Sequence, residues 1–209
     1  MRRQVVLQIS AVVLGFTMAI LGLSGQAQAL SIGTCASDLP GNCSYSVSLV
    51  VDQLTMGISN TSSPINGGFI TAVAFDLAGA ASITGVTTTA PDFSLTPSPS
   101  STGGSINVAP DGTREFVMSI TNQYLGGGSP TSGIGAGQSA TFTFSLGGNI
   151  TGVTEANVFS SSLVRFRGFA DGGSDKDRVV VGVPESSSLL MLGAGLVGIG
   201  LWRRKSVKI

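Results

Sequence analysis

Ser139-Ala140-Thr141-Phe142-Thr143-Phe144-Ser145-Leu146 alternates hydroxyl-bearing and apolar residues without a break. Successive side chains of a β-strand point to opposite faces. The stretch therefore reads as a strand with Ala140, Phe142, Phe144 and Leu146 on a core face and Ser139, Thr141, Thr143 and Ser145 towards solvent.

The same period recurs on either side of this stretch. Tyr45, Val47, Leu49 and Val51 oppose Ser44, Ser46 and Ser48; the phase breaks at Asp52-Gln53 and resumes as Leu54, Met56 and Ile58, which marks a hairpin turn or a bulge. Phe69, Thr71, Val73, Phe75 and Leu77 make another strand, and Ser82 to Thr88 a weaker one. The stretch from there to Gly104 carries Pro91, Pro97 and Pro99, each lacking a ladder donor, and reads as a long surface loop. Ser105 to Val108, a turn at Asp111-Gly112, and Glu115 to Thr121 form a second hairpin-like unit. Tyr124 to Gly137 is glycine-rich and reads as a loop. Leu163 to Phe169 and Arg178 to Val183 complete the set.

No segment between the termini shows a helical period. Short strands at near-regular spacing predict an all-β fold, an antiparallel β-sandwich or jelly roll, spanning residues 30–183 as one domain. Phe69, Phe75, Phe93, Phe116, Phe142, Phe144, Phe159, Phe166 and Phe169 fall mostly at in-phase positions and are expected to fill its core.

Composition narrows the chemistry. The chain is 42% hydrophobic and only 11% charged, with 30 glycines, a mixture that favours strands and turns. Between Leu30 and Pro184 there are five bases against ten acids, and no basic stripe for a nucleic-acid backbone. The chain has no histidine, which removes the commonest general base and metal ligand. Asp76, Asp92, Glu115 and Glu155 are the carboxylates open to glycoside cleavage, but nothing in their spacing pairs any two. A non-catalytic protein is expected. Cys35 and Cys43 flank Pro40-Gly41-Asn42 and are expected to form a disulfide outside the cytoplasm.

Asp171-Gly172-Gly173-Ser174-Asp175-Lys176-Asp177 places three carboxylates in what reads as a Gly-rich turn. Asp171, Asp175 and Asp177 are the candidate ligands for Ca²⁺, set against the simpler reading of a solvated hairpin turn. Gly193-Ala194-Gly195-Leu196-Val197-Gly198 matches the dinucleotide-binding glycines. It lacks the following helix and acidic residue that such a site needs, and reads instead as membrane-helix sequence. No cofactor is expected apart from possible Ca²⁺.

Residues 1–29 have the parts of a secretory signal peptide: Arg2-Arg3, an apolar stretch, and Ala27-Gln28-Ala29 as a small-x-small cleavage site. Residues 184–209 form a second address. Val183, Pro184 and Glu185 precede Ser186 to Ser188, an apolar run Leu189 to Trp202, and Arg203-Arg204-Lys205. The run of fourteen residues is short for a spanning helix but becomes a short span if the serines are included and the arginines snorkel. The basic cluster, with Trp202 beside it, stops the segment on the cytoplasmic side and sets the domain on the other.

This order of parts resembles the PEP-CTERM sorting signal of Gram-negative bacteria, with Ser186 in place of the family's second proline. The resemblance implies that an exosortase, a membrane-embedded transpeptidase, recognises Pro184-Glu185 after the secretory translocon has exported the chain. It removes the helix and passes the domain from the inner membrane towards the cell surface or extracellular matrix, where exopolysaccharide is the implied surrounding. Two alternatives stand beside it: a carbohydrate-binding or adhesion module of that matrix, and a single-pass anchored protein whose tail is never processed.

Overall fold

In the computed structural model the residues described are 31–36, 41–97, 99, 103–121, 124–125 and 127–181. The segments expected to be a signal peptide and a sorting tail, with Val183, Pro184, Glu185, Trp202, Arg203, Arg204 and Lys205, lie outside the described residues. Among the described residues no helix is long and apolar enough to cross a membrane.

The strands are β1 (Ser31–Ala36), β2 (Cys43–Val50), β3 (Gln53–Asn60), β4 (Gly67–Phe75), β5 (Ala80–Thr88), β6 (Ser94–Thr96), β7 (Ile106–Asn107), β8 (Thr113–Arg114), β9 (Phe116–Ser119), β10 (Ile134–Gly135), β11 (Ser139–Asn149), β12 (Leu163–Phe169) and β13 (Ser174–Val181). One helix, α1 (Glu155–Ser161), separates β11 from β12. The alternating stretch Ser139 to Leu146 is the body of β11, whose Ala140, Phe142, Phe144 and Leu146 are buried while Ser139, Thr141 and Ser145 are exposed.

Every pairing of these strands is antiparallel. The sequence led to the expectation of two sheets facing one another, as in a sandwich or jelly roll. Instead one continuous path runs β5-β11-β3-β2-β1-β13-β12-β4-β9-β6, with β10 beside β4 and a separate ribbon β7-β8. The sheet curls on itself into a near-barrel. Phe75 on β4 and Phe144 on β11 sit far apart along the path, yet their ring centroids are 5.2 Å apart. Phe93, in the connection between the path's two end strands β5 and β6, lies 5.3 Å from Phe142. One enclosed core takes Tyr45, Leu54, Met56, Ile58, Phe116, Phe142, Phe144 and Phe166. A smaller one lies outside the sheet, where Val108 and Tyr124 cover Ala72 and Ala74 of β4, Val117 of β9 and Leu163 of β12.

Several sequence expectations are corrected in detail. The proline-rich loop after β5 contains β6 and buries Phe93 and Leu95. The glycine-rich stretch 124–137 buries Tyr124 and holds a 3₁₀ turn, Pro130–Ser132, and β10. The last strand begins at Ser174, before Arg178. Val51, expected on the core face in phase with Tyr45, is 82% exposed, because β2 stops at Val50 and Val51-Asp52 is the turn into β3.

Helix α1 is the largest departure from an all-strand reading. Its seven residues are too few to hold a helix by propensity alone. Thr154 caps it, its Oγ1 accepting from Asn157 N–H at 3.1 Å, and Glu155 Oε1 accepts from Leu49 N–H at 2.7 Å. Val158 and Phe159 are buried, Phe159 edge-on to Tyr45 at 5.7 Å, while the Tyr45 hydroxyl and Ser162 Oγ lie 2.9 Å apart. Phe159 fits only because β1 has no side chain at Gly33. A Cβ there would collide with the Phe159 ring and with the Val180 carbonyl oxygen. Val180 belongs to the paired backbone of β13 and cannot withdraw. Gly33→Ala is expected to lower stability by about 3 kcal/mol, the upper range of overpacking costs, read as a shifted urea midpoint by circular dichroism.

Candidate functional site

The acidic segment is the first candidate. Asp171 sits in an exposed turn, its Oδ1 accepting from Gly173 N–H at 2.8 Å. The turn ends there, and this corrects the picture of one Gly-rich loop holding all three carboxylates. Asp175 and Asp177 belong to β13, two residues apart on the face that carries Val179, and both are buried. Asp175 Oδ1 accepts from Lys176 N–H at 2.7 Å, and its Oδ2 packs under Gly41, where a Cβ would lie 2.9 Å away. Gly41, two residues before Cys43, thus closes over Asp175. Among the described residues no group of three or more His, Cys, Asp or Glu side chains is arranged to hold a metal ion.

The carboxylates considered for catalysis are the second candidate. Asp76 and Glu115 stand opposite one another, one step beyond the last ladder pair, Phe75 with Phe116. Asp76 Oδ1 accepts from Glu115 N–H at 2.8 Å, and Glu115 Oε2 accepts from Leu77 N–H at 2.7 Å. Each side chain continues the ladder by accepting from backbone beside the other. Arg114 Nε lies 3.6 Å from Asp76 Oδ2 and donates to the Ser161 carbonyl at 2.6 Å, and Asp76 N–H donates to Ser161 Oγ at 3.0 Å. This knot joins the end of β4, the start of β9 and the end of α1. Glu155 is committed to Leu49, as above. Asp92 lies beside a cleft of about 400 Å³, lined by Thr89 to Asp92, Ser132 to Ile134, Gln138 and Ser139. Glycoside cleavage needs a second carboxylate across such a cleft, and its lining holds no other acid.

The bases have a common task. Arg165 Nη1 donates to the Tyr124 carbonyl at 2.6 Å, Arg167 Nη1 to that of Gly127 at 2.7 Å, and Lys176 Nζ to that of Ala109. Arg178 pairs with Asp111 at 2.8 Å, and Arg114 also reaches the Thr113 carbonyl at 2.7 Å. They fasten the excursion between residues 106 and 128 to the outside of the barrel. Partial burial, and then Arg167 beside it, pull the Arg165 pKa down, while Tyr124 opposes the shift.

Among the described residues the aromatic side chains do not form a sugar-stacking platform. Tyr45, Tyr124 and every expected core phenylalanine except Phe69 are buried, and Phe69 is half-buried. The two cysteines are bonded as expected, with Cα atoms 5.0 Å apart. Sequence reasoning left the Asp76–Glu115 pairing unread; its only signal was that Phe75 and Phe116 fall in phase on strands that pair.

Asp76→Ala and Glu115→Ala each leave a part-buried N–H without its acceptor and are expected to cost about 1–3 kcal/mol in urea unfolding. The double variant should cost less than the sum, since the two share one network. The chain has only two tyrosines. Burial pushes both pKa values well up, against a Ser162 hydrogen bond for Tyr45 and mainly Arg165 for Tyr124. Folded protein should therefore show no rise in absorbance at 295 nm as pH passes about 10, where free tyrosine ionises. With folded pKa values raised, this contribution to stability is complete below about pH 10 and is lost above it, as the unfolded chain releases protons that the fold retains.

Against family models, curated proteins and solved structures the chain has no match.

Proposed function

We propose that the chain is an exported, non-catalytic cell-surface or matrix protein, addressed by residues 184–209. The observation that carries this reading is the order of parts in the tail: Pro184-Glu185, the run Leu189 to Trp202, then Arg203-Arg204-Lys205. In this scheme the signal helix within residues 1–29 takes the chain through the translocon. The short hydrophobic helix then holds it in the inner membrane, with the basic cluster on the cytoplasmic side. The resemblance to PEP-CTERM tails names the next step, recognition of Pro184-Glu185 by an exosortase and release of the domain towards the surface.

The Cys35–Cys43 bond supports the export half of the reading, because such bonds persist in oxidising compartments. The non-catalytic half is supported by what the acids and bases do. Asp76, Glu115, Glu155, Arg114, Arg165, Arg167 and Lys176 all bind backbone groups of the domain itself. The burial of the aromatics weighs against a sugar-binding module. Ser186, in place of the family's second proline, favours a second reading in which the tail stays on as a permanent anchor.

Mass spectrometry of the exported protein separates the two. The sorting reading expects mature chains that end near Glu185, and expects Pro184→Ala with Glu185→Ala to leave the protein in the membrane fraction with its tail intact. Mature unsubstituted chains still carrying residues 189–209 would overturn it in favour of the anchor.

A further inference from the structure

The β1–β13 ladder sets Gly33 opposite Val181, so the described chain begins at Ser31 and ends at Val181 side by side at one end of the barrel. The β2–β3 turn projects at that end as well, because Ser31 stands opposite Val47 and β2 runs on from there to Val50. At the opposite end lie the Cys35–Cys43 bond and the loop after Asn60, which includes Ile65.

The two ends differ in what they expose. Of the six exposed large hydrophobic residues among those described, Val50, Val51, Ile32 and Val180 lie on the turn or towards the end where the chain enters and leaves. Val51 is the most exposed of these four, and its backbone has φ +56°. The first residue of a two-residue hairpin turn is commonly Gly, Asn or Asp, because a β-branched residue is strained in that region. Valine at this position serves neither the turn nor the core. Its side chain is turned outward on a backbone that disfavours it.

The geometry points to this end of the barrel, with Val50-Val51 at its tip, as a surface that rests in the interfacial layer of a lipid bilayer. The occupant follows from where the remaining chain departs. Residues 182–209 continue from Val181 at this same end, and their apolar run begins eight residues later, at Leu189. Eight residues span at most about 28 Å, so a membrane-held run keeps this end of the barrel within that distance of the bilayer. Asp52 follows the valines directly, which limits entry to the tip and favours a zwitterionic surface over an anionic one. The inference rests on the tail being membrane-held, as proposed above, and adds how the domain stands on the membrane.

The test uses the full chain reconstituted in phosphatidylcholine vesicles, with Val51→Trp or Ile65→Trp adding a second tryptophan to Trp202. Emission added over that of Trp202 alone is compared with and without brominated acyl chains. Ile65 is the control because it is similarly exposed at the opposite end. The V51W emission is expected to shift blue and to be quenched at least twofold more than that of I65W. Should V51W misfold, V50W reads the same turn. A chain that floats with its vesicles while V51W and I65W are quenched alike overturns the contact and leaves the anchoring intact. A chain that does not float overturns both. A blue shift that needs no lipid and grows with protein concentration assigns the tip to a second copy and overturns the membrane contact.

Discussion

The whole architecture hangs on the double pairing of β1. This six-residue strand bonds β2 on one side and β13 on the other. Among the described strands it is the one that pairs by its backbone with both the half of the sheet made of β5, β11, β3 and β2 and the half made of β13, β12, β4, β9 and β6. Remove it, and two separate sheets would remain around a common core, the sandwich that the strand pattern suggests. Two devices hold β1 in place. Cys35 bonds Cys43, one step beyond the last β1–β2 pair, Thr34 with Ser44, and Gly33 lets Phe159 and the β13 backbone close in. Helix α1 depends on the same residue, since Phe159 reaches the core only over Gly33.

Legibility in the sequence followed the number of buried faces. β2, β3 and β11 have one buried face and one wet one, so their apolar and hydroxyl residues alternate and the reading is direct. β4 is covered on its second face by the outer core, and there the wet half of the alternation is replaced by Ala72 and Ala74. β1 is too short, and too rich in small residues, to stand out at all. Helix α1 announces itself only by Thr154 as cap, with Glu155 in the first turn, a signal that seven residues give little room to develop. The acidic segment reads as a turn throughout because Asp175 and Asp177 look like surface residues. They occupy core-facing positions of a strand whose alternate residues, Lys176 and Arg178, take the outer face.

The charged residues explain how a chain so poor in them supports long irregular connections. A buried or half-buried carbonyl or amide that leaves a ladder needs another partner. Here arginine and lysine supply donors for the carbonyls of Ala109, Thr113, Tyr124, Gly127 and Ser161, while Asp76, Glu115 and Glu155 supply acceptors for three amides. Charge-assisted bonds of this kind are roughly twice as strong as neutral ones. Few charges therefore suffice, and Arg114, Arg165, Arg167, Lys176, Asp76, Glu115 and Glu155 are occupied in holding backbone.

The order of synthesis gives β1 a further consequence. It follows residues 1–30 directly, whereas its partner β13 precedes residues 182–209, so the ladder joining Gly33 to Val181 forms only when nearly the entire domain has emerged. Pairings of such sequence separation carry a loop-closure cost that nearer contacts must first offset. Until then the β13 edge of β1 has no partner, which is the condition under which strands pair wrongly. The cross-link to Cys43, only eight residues away, needs nothing beyond β2 and so can fix β1 to β2 without β13. A chain that completes its sheet with its last strand has a physical reason to lock its first strand early.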